Sequence, residues 1–241
     1  MRVRKPVQYN DFVRSASVRQ RYWARSSVGW GRMRTAIPNP AHQGLARLEA
    51  EGHLAGLITQ NVDGLHHAAG SRAVIELHGS LAGVVCLDCG DQTSRTDLQH
   101  RLTSENPDWA SELDARSTPM ESAPDGDAEV PEDAYASFVV PGCRVCDGML
   151  KPDVVFFGEN VPKERVGACW DLMDTADTLL VVGSSLTVFS GRRFVYAAEK
   201  RAMPVGVVNL GPTRADDVAA ARVEGRLGVV LPRIADELTA R

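Results

Sequence analysis

The sequence predicts an α/β fold: a parallel sheet covered by helices, with a small zinc-binding module inserted. Three observations predict it. Apolar strand patterns alternate with helical stretches of about 10–15 residues in the C-terminal half, as in strand–helix–strand units. Two Cys-x2-Cys pairs, Cys86/Cys89 and Cys143/Cys146, stand in a central stretch that has neither pattern. The 241 residues are 44% hydrophobic and 24% charged, which excludes a disordered chain, a coiled coil and a collagen-like fibre. At roughly 150 residues per domain, this length makes one large domain or a large and a small one.

The elements follow in order. Residues 10–25 read as one amphipathic helix. Asn39-Pro40 is a cap followed by Pro at the first helical position. The helix after it carries Ala41, Leu45 and Leu48 on one face, and Gly52 ends it. LAGLITQ (54–60) is a buried strand, and DGLHHAAG a short helix ending at Gly70. KPDVVFFGE (151–159) is a strand and turn, and KERVGACWDLMDTA a helix. TLLVVGSS (178–185) is a strand, GRRFVYAAEKRA a helix and PVGVVNLG (204–211) a strand. RLGVVLPRIADEL is expected to close the chain with a strand and then a helix. Parallel sheets bind ligands at the carboxyl ends of their strands, which is where TQNVD, GSS and NLG fall.

The net charge of −4 hides an asymmetry. Residues 1–35 hold nine Lys or Arg and the single acid Asp11, while residues 90–142 hold twelve acids and three Arg. The basic start is read as solvated helix arginines rather than a nucleic-acid surface. The stretch 90–142 is rich in Pro, Asp, Glu, Ser and Ala and is expected to be a partly disordered surface insertion. No apolar run approaches about 18 residues, so no membrane span is expected. The N-terminus has no apolar core of a secretory signal, and a cytoplasmic location is the expectation. In that compartment paired cysteines point to metal rather than disulfides. A Cys-x2-Cys turn offers two thiolates at two corners of a tetrahedral zinc site, and two turns complete it. Cys86, Cys89, Cys143 and Cys146 are therefore the expected ligands. Four thiolates leave no open position for water, so this zinc is structural. Cys169, in the helical VGACWDLM, reads as a buried core thiol.

The motifs TQNVDGLHHAAG, ELHGSL, CLDCG, CRVCDGMLKPDVVFFGE, LLVVGSSLTVFSG and VVNLGPT occur in an order that resembles the sirtuin (Sir2) family. These are NAD-dependent protein lysine deacylases. FVRSASVRQRYWARSSVGW, the NPAH helix and KPDVVFFGE resemble its class II, sirtuin-four-like branch. The resemblance implies a Rossmann-like NAD-binding domain over residues 1–78 and 151–241, incomplete at its N-terminus with the first strand missing, and a zinc module over 79–150 with the acidic insertion 90–142.

The resemblance also assigns roles. The acyl oxygen attacks C1′ of the nicotinamide ribose, nicotinamide leaves, and the ribose 2′-hydroxyl then attacks the imidate. His78, in ELHGS, matches the catalytic base; an imidazole suits that work because it titrates near neutrality. Outside this motif set, a His before Gly reads as structural. His66 and His42 read as structural, His53 and His100 as surface residues. Gln60, Asn61, Val62 and Asp63, at a strand-to-helix junction, match residues at the nicotinamide and its ribose; by themselves Asn61 and Asp63 read equally as helix caps. Gly183, Ser184 and Ser185, then Asn209, Leu210 and Gly211, match contacts to phosphate and adenosine ribose, and Leu227 lines the adenine. Val155, Phe157, Gly158 and Glu159 resemble the segment that takes an acyl-lysine peptide as an added strand. The implied products are nicotinamide, 2′-O-acyl-ADP-ribose and free lysine, which makes the enzyme a transferase.

The family's Gly-rich loop, of the form GAGxSxxSGIPDFR, has no counterpart in the sequence. A start codon assigned too far downstream or a truncation is the preferred explanation. Poor NAD binding by these 241 residues alone is the expectation. Two rivals follow: protein ADP-ribosyl transfer through the same activated ribose, and a non-catalytic, zinc-stabilised interaction protein.

Overall fold

The computed structural model describes residues 6–109 and 135–240. Its first elements are α1 (Tyr9–Arg14), α2 (Ala16–Arg34), α3 (Pro40–Ala50), β1 (Leu57–Thr59), α4 (Leu65–Ala68), β2 (Val74–Glu76), β3 (Gly79–Cys86), β4 (Gln92–Ser94) and α5 (Arg95–Glu105). Then come β5 (Leu150–Val154), α6 (Lys163–Asp174), β6 (Leu179–Val182), α7 (Phe189–Lys200), β7 (Val205–Asn209), β8 (Ala221–Glu224) and α8 (Leu227–Thr239). They form two compact units. The first is Met1–Ala36, Asn61–Asp63 and His78–Asn160; the second is Ile37–Gln60, Gly64–Leu77 and Val161–Arg241.

In the first unit the expected helix over 10–25 is two helices, and the second of them runs on to Arg34. Ser15 breaks them. Its backbone is extended, and its hydroxyl accepts the Val18 amide as the cap of α2. Arg19 donates to the carbonyls of Phe12 and Val13 at 2.9 Å and satisfies the end of α1. Phe12 and Trp23 are fully buried and join Leu81, Val84, Leu98, Leu102, Leu150 and Phe156 in one core. β3 is the centre of an antiparallel sheet ordered β4–β3–β5. The expectation for 90–142 needs correction in its first part. β4 and α5 are regular because Ser94 caps α5 through the Asp97 amide, and Leu98 and Leu102, one turn apart, are both buried. Residues 110–134 of that stretch lie outside the described residues.

In the second unit the strands are parallel. β1 pairs with β2, and β7 lies between β6 and β8. Among the described residues no ladder joins these two pieces of sheet. Val181, Val205 and Val207 pack with Phe194, Val195 and Cys169 in one core. The helix α3 begins as expected at Asn39, whose side chain accepts from Ala41 and His42 while His42 Nδ1 accepts from the Asn39 amide. Ala41, Leu45 and Leu48 meet Leu231 and Ala235 of α8. The expected strand in RLGVV is overturned. Residues from Leu227 on are helical, and the last strand is the exposed ARVE, residues 221–224. A short apolar run fits a strand and a buried helical turn equally. Packing of Leu231 and Ala235 against α3 selects the helix. Among the described residues no helix is long and apolar enough to cross a membrane.

Candidate functional site

The four paired cysteines converge in the first unit. Cys86 and Cys146 sulfurs are 3.5 Å apart, Cys89 and Cys143 sulfurs 3.7 Å, and all four lie within 4.8 Å of one another. A tetrahedral ion with metal–sulfur bonds near 2.3 Å needs sulfurs about 3.8 Å apart. All four are free thiols. The two turns are built alike. Gly90 donates to the Cys86 carbonyl and Asp147 to the Cys143 carbonyl; Cys86 donates to Asp91 and Cys143 to Gly148. Gly90 and Asp147 both take positive φ, +77° and +59°. Burial resists ionisation of Cys86, but the amides of Cys89 and Asp88, with the Cys146 and Cys89 thiols, outweigh it and bring its pKa down to about 7. Cys146 is pushed up to about 12, first by the Cys89 thiol. One thiolate forms readily, and a divalent cation is what lets its neighbours ionise beside it. The donor set fits zinc.

The same unit brings His78 to the KPDVVFFGE segment. Val155 donates its backbone N–H to the His78 carbonyl at 2.8 Å. Gly79 pairs with Val154 at φ +81°, and a Cβ there would collide with the Asp153 carbonyl oxygen. Only glycine allows the approach. The Leu81 amide donates to the Val62 carbonyl at 2.9 Å, which sets Asn61, Val62 and Asp63 beside the start of β3. His78 is half-buried and Asn61 exposed. After Val155 the chain turns. Glu159 donates its amide to the Phe156 carbonyl, and its carboxylate accepts the Phe156 amide at 2.8 Å. Phe157 is 52% exposed, and its carbonyl accepts from the Tyr9 amide at 2.9 Å. Gly158 has φ +79°. Glu159, expected at the substrate, directs its carboxylate inward.

The second unit gathers most of the remaining residues at strand ends. Gln60 follows β1, and its amide donates to the Ser184 hydroxyl at 3.0 Å. Ser184 in turn accepts from the Leu186 amide at 3.2 Å. Gly183 has φ +61°, and a Cβ on it would lie 2.6 Å from Leu227 Cδ1. Gly183 and Leu227 are thus in contact. The Ser185 carbonyl accepts from the Arg214 amide at 3.0 Å, joining the turn after β6 to the loop after β7. Asn209 is buried, and its side chain donates to the Gly211 carbonyl at 3.0 Å. Leu210 is 68% exposed. His42 and His66 stack edge to face in this unit, and His53 and His100 are exposed. Cys169 is fully buried, and burial pushes its thiol up to about 11.

Sequence reasoning missed three residues. A Cβ on Gly191 would press on the Gln60 amide at 2.8 Å, so this glycine seats Gln60 at the start of α7. Arg222 donates to the Gly211 carbonyl and pairs with Asp216. Lys151 is buried at 3% exposure. Its signal was present in the sequence: a lysine inside a strand, between Leu150 and Pro152.

The Sir2 family model matches residues 3–190. The chain is 49% identical over 231 residues to the human NAD-dependent protein lipoamidase sirtuin-4, mitochondrial, covering 96% of this chain and 72% of that protein. It is 53% identical over 220 residues to an NAD-dependent protein deacetylase of Xanthomonas campestris pv. campestris strain 8004, covering 91% and 73%. A solved structure described as Sir2 with p53 peptide and NAD+ superimposes with a TM-score of 0.75 at 27% identity, covering 99% of this chain and 87% of that one. The order of motifs, the four-sulfur cluster and the match to the family model agree: the chain belongs to the Sir2 family.

Proposed function

We propose that the chain is an NAD-dependent protein lysine deacylase, a transferase that moves the acyl group from lysine to ADP-ribose. The observation that carries this reading is the Val155–His78 hydrogen bond, which couples an imidazole-bearing residue to a segment that leads to the exposed Phe157. The deacetylase and lipoamidase names of its relatives support it.

In this reading His78 takes the proton from the ribose hydroxyl as it attacks the imidate. Asn61 and Asp63 orient the nicotinamide ribose and carboxamide, with Val62 between them. Gln60 and Ser184 hold a ribose hydroxyl between an amide and a hydroxyl. Gly183, Ser185, Asn209, Leu210 and Gly211 bind phosphate and adenosine ribose through strand-end backbone groups, and Leu227 covers the adenine. Val155, Phe157 and Gly158 take the acyl-lysine peptide as an added strand, which needs little sequence from the substrate. Glu159 serves that segment from within. Residues 1–78 and 151–241 are the NAD-binding part and 79–150 the zinc part. Cys86, Cys89, Cys143 and Cys146 would hold one structural Zn²⁺, a crosslink between the two turns with no part in the chemistry. Paired cysteines that serve as zinc ligands rather than disulfides suit a reducing compartment, and we place the protein in the cytoplasm.

The test is to incubate the chain with saturating NAD and acetyl- or lipoyl-lysine peptides, following nicotinamide and free lysine together. Equal release of both is expected, and its loss in His78→Ala. Nicotinamide release with the acyl group still on the peptide would overturn the reading in favour of ADP-ribosyl transfer.

A further inference from the structure

A buried lysine needs a reason. Lys151, at 3% exposure, sits in β5 of the first unit among groups that compensate its charge. Its ammonium donates to the carbonyls of Pro152 at 3.1 Å and Val154 at 2.5 Å. It lies 3.2 Å from the Glu159 carboxylate and 4.9 Å from the centre of the Phe156 ring. Glu159 uses the same carboxylate oxygen to accept the Phe156 amide. The Phe156 ring packs on Phe12 at 5.2 Å and Tyr22 at 5.3 Å. Every one of these contacts bears on residues 152–159. The pair therefore closes the base of the segment that begins at Val155, and fixes which carbonyls and amides that segment turns inward. Phe157 and Gly158, beyond the pair's reach, are exposed residues.

Burying a charge is expensive even when it is paired, and an apolar pair would hold a turn as well. What the ionic pair adds is direction. A lysine bonded to two carbonyls and a carboxylate bonded to an amide define the backbone orientation of five consecutive residues.

We propose that Lys151 and Glu159 are positioning residues for the acyl-lysine peptide, a pair that acts through the backbone of residues 152–159 and touches neither substrate nor NAD. This rests on the deacylase reading and deepens it. The pair sets the affinity for the extended peptide strand without setting the affinity for NAD.

The experiment compares wild type with Glu159→Gln, Lys151→Met and Lys151→Arg. It measures KM for an acetyl-lysine peptide, KM for NAD, and binding of a fluorescent acetyl-lysine peptide by anisotropy without NAD. Glu159→Gln and Lys151→Met should raise the peptide KM and peptide dissociation constant about tenfold or more, with the NAD KM changed less than about twofold. Lys151→Arg, which keeps charge and donors, should restore most of the affinity. If Lys151→Met does not fold, Glu159→Gln, whose side chain is 22% exposed, carries the test. An unchanged peptide KM in a folded variant, or equal losses for peptide and NAD, would overturn the proposal. A wild type that binds the peptide but releases no nicotinamide overturns the deacylase reading instead; anisotropy still decides the pair's role.

Discussion

The backbone N–H of Val155 and the carbonyl of His78 meet at 2.8 Å, at the point where β3 begins and β5 ends. This contact exists because Gly79, the next residue, takes φ +81° and lets the Asp153 backbone approach where a side chain would stand. His78 and the segment that begins at Val155 are thereby parts of one backbone junction.

Gly79→Ala should break that junction. A methyl group at a left-handed position against a carbonyl is both strained and crowded. We expect a loss of about 2–4 kcal/mol of stability. Deacylation should fall about 100-fold or more, because a shift near 1 Å at the histidine suffices for that. Thermal denaturation and nicotinamide release, measured together, check it; a variant with wild-type turnover refutes the junction's role.

Metal removal should unfold the cysteine turns. One zinc per chain is expected by metal analysis, and Cys143→Ser should remove it. Binding energy in such sites is folding energy, so a strong chelator should lower the melting temperature by ten degrees or more, about what several kcal/mol produce in a domain of this size. Zinc should restore it. A metal-free chain with an unchanged melt would contradict a structural role.

Gly191→Ala tests the polar cluster of the second unit without touching a polar group. The added methyl meets the Gln60 amide and should displace it from Ser184. We expect the NAD KM to rise about fivefold with the peptide KM unchanged, the signature of lost uniform binding. Gln60→Ala should give a similar rise. The double variant should not add to either, because both changes remove one contact.

Asp216 provides a pH test. Its carboxylate accepts from the Thr213 hydroxyl at 2.6 Å and the Thr213 amide at 3.1 Å, and with the nearby Arg222 these hold its pKa below the ordinary 3.8. A depressed carboxyl pKa stabilises the folded form above the unfolded value and ceases to do so as pH falls through the folded one. Asp216→Asn should therefore lower the melting temperature near neutrality and flatten its decline below about pH 4. Parallel wild-type and variant curves across that range would show that the Thr213 contacts do not matter.

Much of this was readable from local pattern. The clustering of the four cysteines was legible because a Cys-x2-Cys turn states its own geometry. The parallel strands at 179–182 and 205–209 were found because each apolar run stands between helical stretches, in the strand–helix–strand alternation of a parallel sheet. The break at Ser15 was missed because a serine suits a helix interior or a cap, and only the Val18 amide selects the cap. The helix at Leu227 was missed because LGVV alone is too short to show a period; the helical spacing of Leu227, Leu231, Ile234 and Leu238 emerges only over the full segment. Lys151 was passed over because the residues that neutralise it, Glu159 and two carbonyls, face it only after the turn has formed.

By itself the sequence determined the family, the alternation of strands and helices, and the four cysteines that cluster. Each is a property of neighbours in the chain, or of residue types whose chemistry has few uses. The tertiary structure alone decided that Val155 meets His78, that Gln60 meets Ser184, that Gly183 meets Leu227, and that Lys151 is buried. The physical reason is range: such contacts depend on which backbone groups approach one another across dozens of residues, and packing settles that only when the whole core closes.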